Sequence, residues 1–383
     1  MTPTIPLSAP DITEAEIAAV TAVLRTPHLS LGPELTAFES ALAEYHSVPH
    51  AIAVSSGTAG LHMALLTLGI GDGDEVIVPS FAFIAVANAV LYLRATPVVA
   101  DIDPVTLNLT PSTVERVLTP RTRAILIVHT FGIPADMHAL RKLATLHNFS
   151  IIEDACEAIG AELHQRRVGS FGDLSVFGFY PNKQITTGEG GAVLAQTQAH
   201  ADRLRSLRNQ GRNPNPTASE RTPQSADWLH LPEIGFNYRL SEIACALGRV
   251  QLSRLDGILD FRRSAAERYH ALLAGIPDLE LPPLTLPDCT ISWFVFVVRL
   301  PESADRLRVQ ACLTQRGIAT STYFAPIHQQ SAWRNCIAQE PPHLPVTESI
   351  GTRTLALPFF TRITASQQET VAAALREALR PQK

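Results

Sequence analysis

AIAVSSGTAGLHMALLTL, residues 51–68, is an apolar β-branched run, a turn of small residues and a helix-forming run in immediate succession. AIAV reads as a buried strand and TAGLHMALLTL as the helix that follows it. The same pairing recurs downstream: EVIV (75–78) then FIAVANAVLYL (83–93), PVVA (97–100) then PSTVERVL (111–118), RAILIV (123–128) then DMHALRKLATLH (136–147), and SIIE (150–153). Strands separated by helices at this spacing predict a mostly parallel α/β sheet covered on both faces. SVFGF (175–179) and GAVLA (191–195) extend the apolar layer with no helix between them, which predicts an antiparallel strand at one sheet edge.

The chain has 383 residues, enough for two domains at about 100 to 200 residues each. A polar, proline-bearing stretch at 209–232 interrupts the strand-helix pattern. A helical pattern then runs from Leu240 to about Leu273, leading from a large domain (1–250, with an N-terminal helical segment) into a smaller α+β one (251–383). The smaller part offers a strand ISWFVFVVRL (291–300), a helix near 304–316, a segment ALPFF (356–360) and a closing amphipathic helix at 365–380. There is no internal repeat.

With 46% hydrophobic and 17% charged residues the chain can bury a large core and is not a disordered one. Its 31 Lys and Arg against 36 Asp and Glu give a net charge of -5 without a dense basic run. That balance disfavours nucleic-acid or anionic-membrane partners but leaves room for a local pocket that takes a phosphorylated small molecule. Five scattered cysteines without a CxxC pair suit buried thiols in a reducing compartment. Residues 1–25 hold Asp11, Glu14 and Glu16 and lack a basic region before an apolar core, and the longest apolar stretch, 81–93, is too short to span a bilayer. A soluble cytoplasmic protein is expected. GDGDE (71–75) lacks the spacing of a calcium loop and reads as a tight turn, no metal site is expected, and no GxGxxG, P-loop or GxSxG occurs.

Three segments can carry chemistry. Gly57, Thr58 and Ala59 form the first turn of a helix, where free N–H groups and the dipole suit a phosphate; a plain N-cap by Ser55 or Ser56 is the alternative. IIED (151–154) ends an apolar strand in two acids, with Asp154 where a strand's C-terminal end meets a ligand crevice. A buried carboxylate needs a cation, either a protonated pyridine nitrogen or a structural arginine. SVFGFYPNKQITTGEGG (175–191) encloses Lys183 between an aromatic strand and a glycine-rich turn. That lysine is either an exposed loop residue or an amine whose chemistry is used, as in a Schiff base with an aldehyde. One ligand satisfies all three segments, with a phosphate at Gly57 and Thr58, a pyridinium at Asp154 and an aldehyde at Lys183: pyridoxal 5'-phosphate.

The order and spacing of these segments resemble the DegT/DnrJ/EryC1/StrS sugar aminotransferases. The resemblance runs from SLGPELTAFESALAEYHSVPHAIAVSSGTAGLHMAL through VPSFAFIAVANAV, IIEDACEAIGAELHQRRVGSFGDLSVFGFYPNKQITTGEGGAVL and IGFNYRLSEIACALGRVQL to YFAPIH and LALPFF. It implies the aspartate aminotransferase type I fold, a pyridoxal-phosphate cofactor and amination of a nucleotide-linked keto-deoxysugar for amino-sugar biosynthesis. FYPNKQITTGEGG resembles the perosamine-synthase-like branch that aminates C4 with glutamate; 3-keto sugars are the runner-up, and a non-catalytic sensor on the same fold is the rival class.

Carried over by position, the resemblance makes Lys183 the Schiff-base residue and Asp154 the partner of the ring nitrogen. Phe83 falls where the family sets an aromatic over the ring, and Ser56, Thr58 and Asn237 are phosphate ligands. Asn237 serves a neighbouring subunit's site, with Arg239 beside it, so a homodimer with shared sites is implied. Two positions depart from the common pattern: Gly178 replaces a phosphate-binding serine, and Glu157 replaces a glutamine near the ring. His129 is either a cofactor neighbour or a core histidine. Tyr323, His328 and Arg212 are candidate substrate contacts, and Arg208 and Trp228 are further candidates for a diphosphate and a base.

Overall fold

The computed structural model describes residues 4–213, 231, 233–336 and 342–380. Helices α1 (Glu14–Leu24) and α2 (Pro33–His46) precede the central sheet. Its strands are β1 (His50–Val54), β2 (Glu75–Pro79), β3 (Thr96–Ala100), β4 (Thr122–Val128), β5 (Ser150–Asp154), β8 (Leu174–Gly178) and β9 (Gly191–Ala195). Short β6 (Glu162–Leu163) and β7 (Arg166–Arg167) pair beside them, with β10 (Cys289–Thr290) joining β6. The connections carry α3 (Gly57–Thr67), α4 (Ala85–Tyr92), α5 (Pro111–Glu115), α6 (Met137–His147) and, after β9, α7 (Gln198–Arg208).

The sheet order is β1-β9-β8-β5-β4-β2-β3. All neighbours are parallel except the two pairs made by β9. The antiparallel strand is therefore not at the edge, as the sequence suggested, but second from it. GAVLA is buried throughout because β1 pairs with its free side and takes the edge.

Alternation along each strand sends side chains to opposite faces. Val76 and Val78 meet Leu61, Met63 and Val86 of α3 and α4, whereas Ile77, Ile125, Ile127 and Ile151 meet Met137 and Leu140 of α6. Helix α3 lies close on the sheet because Gly60 has no side chain; a Cβ there would stand 2.7 Å from Val176 Cγ1. Each fully buried Val, Leu or Ile contributes roughly 1.5–3 kcal/mol, which is what holds α3 on the sheet. The chain segment 71–75 makes the expected turn, with Gly71 N–H bonded to Asp74 at 3.0 Å.

Past the sheet, α8 (Glu242–Ser253) and α9 (Leu255–Leu273) lead to a two-stranded unit, β11 (Phe296–Arg299) with β12 (Thr354–Leu357). Around it lie α10 (Arg306–Gln315), α11 (Ser331–Cys336), α12 (Pro345–Arg353) and α13 (Ala365–Ala378). Tyr269, Phe296, Phe359 and Leu375 form its core.

Several sequence expectations change here. The single helical run 240–273 is two helices that turn at Arg254, whose guanidinium is held by Asp11 (2.7 Å) and by Glu16. A boundary at 250/251 falls inside α8, and Ile5 joins the second core, bridging to Ile318. The strand at 291–300 is confined to 296–299, because Ser292 is drawn toward the sheet: its N–H donates to Gly132 O (3.0 Å) and its hydroxyl to Ile159 O (2.6 Å). All five cysteines are free, and only Cys245 is fully buried. No helix among the described residues is long and apolar enough to cross a membrane.

Candidate active site

The C-terminal ends of β1, β5 and β8 open onto a cavity of about 360 Å³. Its walls include Ser56, Gly57, Thr58, Phe83, Asp154, Glu157, Gly178, Lys183 and Tyr323, so nine of the residues singled out by sequence stand together. Ligands bind at such strand ends because loops and helix N-termini converge there.

At one end, Ser56 caps α3 by accepting the Ala59 N–H at 3.0 Å. The Gly57 and Thr58 amides, in the first turn, have no intrahelical acceptors. Glycine is required at 57 by crowding: a Cβ would lie 2.8 Å from Cys156 Sγ. Gly178 ends β8 beside it, so small residues leave this end of the cavity to backbone amides. That cradle suits a phosphate.

Alternation along β5 separates its two acids. Asp154 faces the cavity, 8% exposed, and its Oδ1 accepts the Cys156 N–H at 3.0 Å. Among the described residues it makes no ion pair, so no structural arginine occupies it. Glu153 points to the opposite face, where it accepts the Gly169 N–H (2.8 Å), the Phe171 N–H (2.7 Å) and the Ser175 hydroxyl (2.9 Å). Burial works to raise its carboxyl, but His129 and the Gly169 and Gly172 amides hold it below the usual carboxylate value.

His129 follows Glu153 rather than Asp154. Its Nε2 lies 3.0 Å from Glu153 Oε2 and its Nδ1 accepts the Ala135 N–H at 3.1 Å. It is wholly buried and is the core histidine of the two sequence readings, not a cavity neighbour. His328 is corrected in the same way. It is 2% exposed, with Ser80 Oγ at 2.6 Å from Nδ1 and Glu348 Oε1 at 3.2 Å from Nε2, which leaves no ring nitrogen for a substrate.

Lys183 enters after β8, its side chain only 15% exposed. Its Nζ stands 3.6 Å from Glu157 Oε1 and 3.9 Å from the centre of the Phe294 ring. Glu157 Oε2 accepts the Phe131 N–H at 3.0 Å. Burial pushes the Glu157 carboxyl up, against the pull of Lys183 and Phe131. Phe83 is 63% exposed on the cavity rim, an unusual position for so apolar a ring unless a ligand covers it.

Of the remaining candidates, Asn237, Arg239, Arg212 and Arg208 do not line the cavity. Asn237 is exposed and bridges to Asn209, and Arg239 donates to Asn209 Oδ1 at 2.9 Å. Arg212 is exposed. Arg208 is neither ligand nor solvated charge: it is buried in an ion pair with Glu39 and donates to Ala53 O at 2.9 Å. Trp228 and most of the 209–232 segment lie outside the described residues.

Sequence reading missed Phe294, Asn182 and Cys156, which also line the cavity. Phe294 was hidden inside an apparent strand. Asn182, adjacent to Lys183, carried no separate signal.

The cradle, the unpaired Asp154 and the enclosed Lys183 fit pyridoxal phosphate, and with the mostly parallel sheet they define a type I pyridoxal-phosphate-dependent transferase. The sequence model of the DegT/DnrJ/EryC1/StrS aminotransferase family matches residues 10–376, and the chain belongs to that family. It is a pyridoxal-phosphate-dependent sugar aminotransferase.

Its similarity to GDP-perosamine synthase of Caulobacter vibrioides is 38% identity over 381 residues, covering 98% of this chain and 99% of that one. The structure of S. venezuelae DesV in complex with a ketimine intermediate matches with a TM-score of 0.87 and 40% identity, covering both chains fully. Helicobacter pylori PseC, an aminotransferase of pseudoaminic acid biosynthesis, matches with a TM-score of 0.90 and 26% identity over 98% of each chain.

Proposed function

We propose that this chain moves an amino group from glutamate to C4 of a nucleotide-diphosphate-linked 4-keto-6-deoxyhexose, acting as a homodimer. The observation that carries the C4 assignment is the full-length similarity to a GDP-perosamine synthase, which also favours guanosine diphosphate as the nucleotide. The run NKQITTGEGG around Lys183 supports the same branch.

When bound, pyridoxal phosphate supplies a carbonyl carbon for amines and a ring that withdraws electrons from the donor's Cα. Asp154 would hold the ring nitrogen protonated through a charge-assisted hydrogen bond. Ser56, Gly57 and Thr58 would hold the phosphate, and Phe83 would pack against the ring. Lys183 would hold the cofactor through its Nζ, and the same nitrogen would move a proton at the donor's Cα. General acid–base transfer of this kind contributes about 10² to 10⁴ in rate. Tyr323, which also lines the cavity, would contact the sugar.

Asn237 is not among the residues that line the cavity. Its exposure supports the reading that it reaches the phosphate of a second copy, with Arg239 and Arg212 beside it as anion ligands.

The test is incubation of purified enzyme with glutamate and nucleotide-linked 4-keto or 3-keto sugars, followed by the product mass. Amination of the 4-keto sugar supports the proposal. Preferential amination of a 3-keto isomer, or of a sugar lacking the nucleotide, would move the chain to another branch.

A further inference from the structure

Glu157 is the acid that stands where the family's common pattern has glutamine, and its surroundings give its charge a direction. Its Oε1 lies 3.6 Å from Lys183 Nζ, and both side chains are largely buried, 8% and 15% exposed. Its other oxygen accepts the Phe131 N–H at 3.0 Å. Phe131 sits at φ +56, in the left-handed region that large side chains seldom adopt, so its backbone is strained where it meets this carboxylate. Gln184, next to the lysine, donates to the Glu157 carbonyl at 2.7 Å and to Ser292 Oγ at 2.9 Å. The acid and the lysine are therefore fixed relative to each other by backbone contacts on both sides.

The other titratable groups facing Glu157 are Asp154, the Cys156 thiol and the Tyr323 hydroxyl, none of them cationic at neutral pH. Among the described residues Lys183 is its one ion-pair partner. Burial raises the Glu157 carboxyl, against the pull of Lys183 and of the Phe131 N–H.

We infer that Glu157 is a second acid–base group of the site, positioned to exchange one proton with the Lys183 nitrogen. The proton passes between Nζ and Oε1 when the flexible end of the lysine closes the 3.6 Å gap, and no other bond changes. The inference deepens the proposed function and rests on Lys183 as the residue that carries the cofactor.

Glu157→Gln tests it, because the amide keeps an oxygen for the Phe131 N–H and loses only the charge. In the holoenzyme, the visible absorption of the lysine-bound cofactor should titrate with a midpoint about one pH unit or more below wild type, the size expected for loss of an opposite charge at this distance. In the cofactor-free chain, an amine-directed acylating reagent at pH 8 should label Lys183 several-fold faster in the variant, read by peptide mass. An unchanged midpoint with an unchanged labelling rate would overturn the inference. A wild-type holoenzyme without a visible band would instead overturn the assignment of Lys183, a distinguishable failure.

Discussion

Cys156 Sγ fills the space that a side chain on Gly178 would need. A Cβ on Gly178 would stand 3.2 Å from the sulfur, and one on Gly57 only 2.8 Å from it. The thiol and the glycine are thus complementary in volume at the end of the cavity onto which α3 opens.

This relationship makes a double-variant prediction. Gly178→Ser should weaken pyridoxal-phosphate binding about tenfold and destabilise the fold by about 1–3 kcal/mol through overpacking. In a Cys156→Ala background the same serine should fit and bind phosphate, so the pair should regain near wild-type affinity by cofactor titration. Additive losses in the double variant would show that the two positions are independent.

His46 gives a pH-dependent prediction for stability. It is buried beside Phe177, with Nδ1 at 3.0 Å from the Val168 carbonyl and Nε2 without a partner among the described residues. Burial, against that carbonyl and with help from nearby Arg167, pushes its pKa down from 6.5 to about 4. Between these values the unfolded chain binds the proton and the folded one does not. Stability is therefore full above pH 6.5 and falls as the pH drops toward 4, by about 3 kcal/mol for this group. His46→Gln should flatten that part of the curve in urea unfolding measured from pH 7 to 4. An equal slope in both chains would assign the acid sensitivity elsewhere.

The shared-site reading is tested by complementation. Lys183→Ala and Asn237→Ala homodimers should each be inactive or strongly impaired. Mixed after mild dissociation, they should recover up to about a quarter of wild-type activity per site, since random pairing puts one intact site in half of the dimers and each dimer has two. Failure to recover any activity, with heterodimers verified by mass, would place Asn237 in its own protomer's site.

The sheet was legible because its strands are β-branched runs bounded by turns, and burial on both faces leaves such runs continuous. Position within the sheet was less so: GAVLA reads the same at an edge or inside, and only the return of β1 along it decides. Asp154 and Lys183 were legible because an acid and an amine in apolar surroundings need a reason to be there. His129 and His328 fit that description equally well, yet Glu153 and Glu348 pair with them from elements distant in sequence. Phe294 escaped notice because a cavity-lining phenylalanine and a strand phenylalanine look alike until Ser292 is seen pinned to Gly132 and Ile159.

The central claim is that Lys183 carries the cofactor, and the chain has only two other lysines, Lys142 and Lys383. Holoenzyme reduced with borohydride, digested and analysed by mass should hold the reduced pyridoxyl phosphate on the peptide containing Lys183, and a Lys183→Ala chain should hold none. Cofactor fixed on Lys142 or Lys383, or equal trapping in the Lys183→Ala chain, would contradict it.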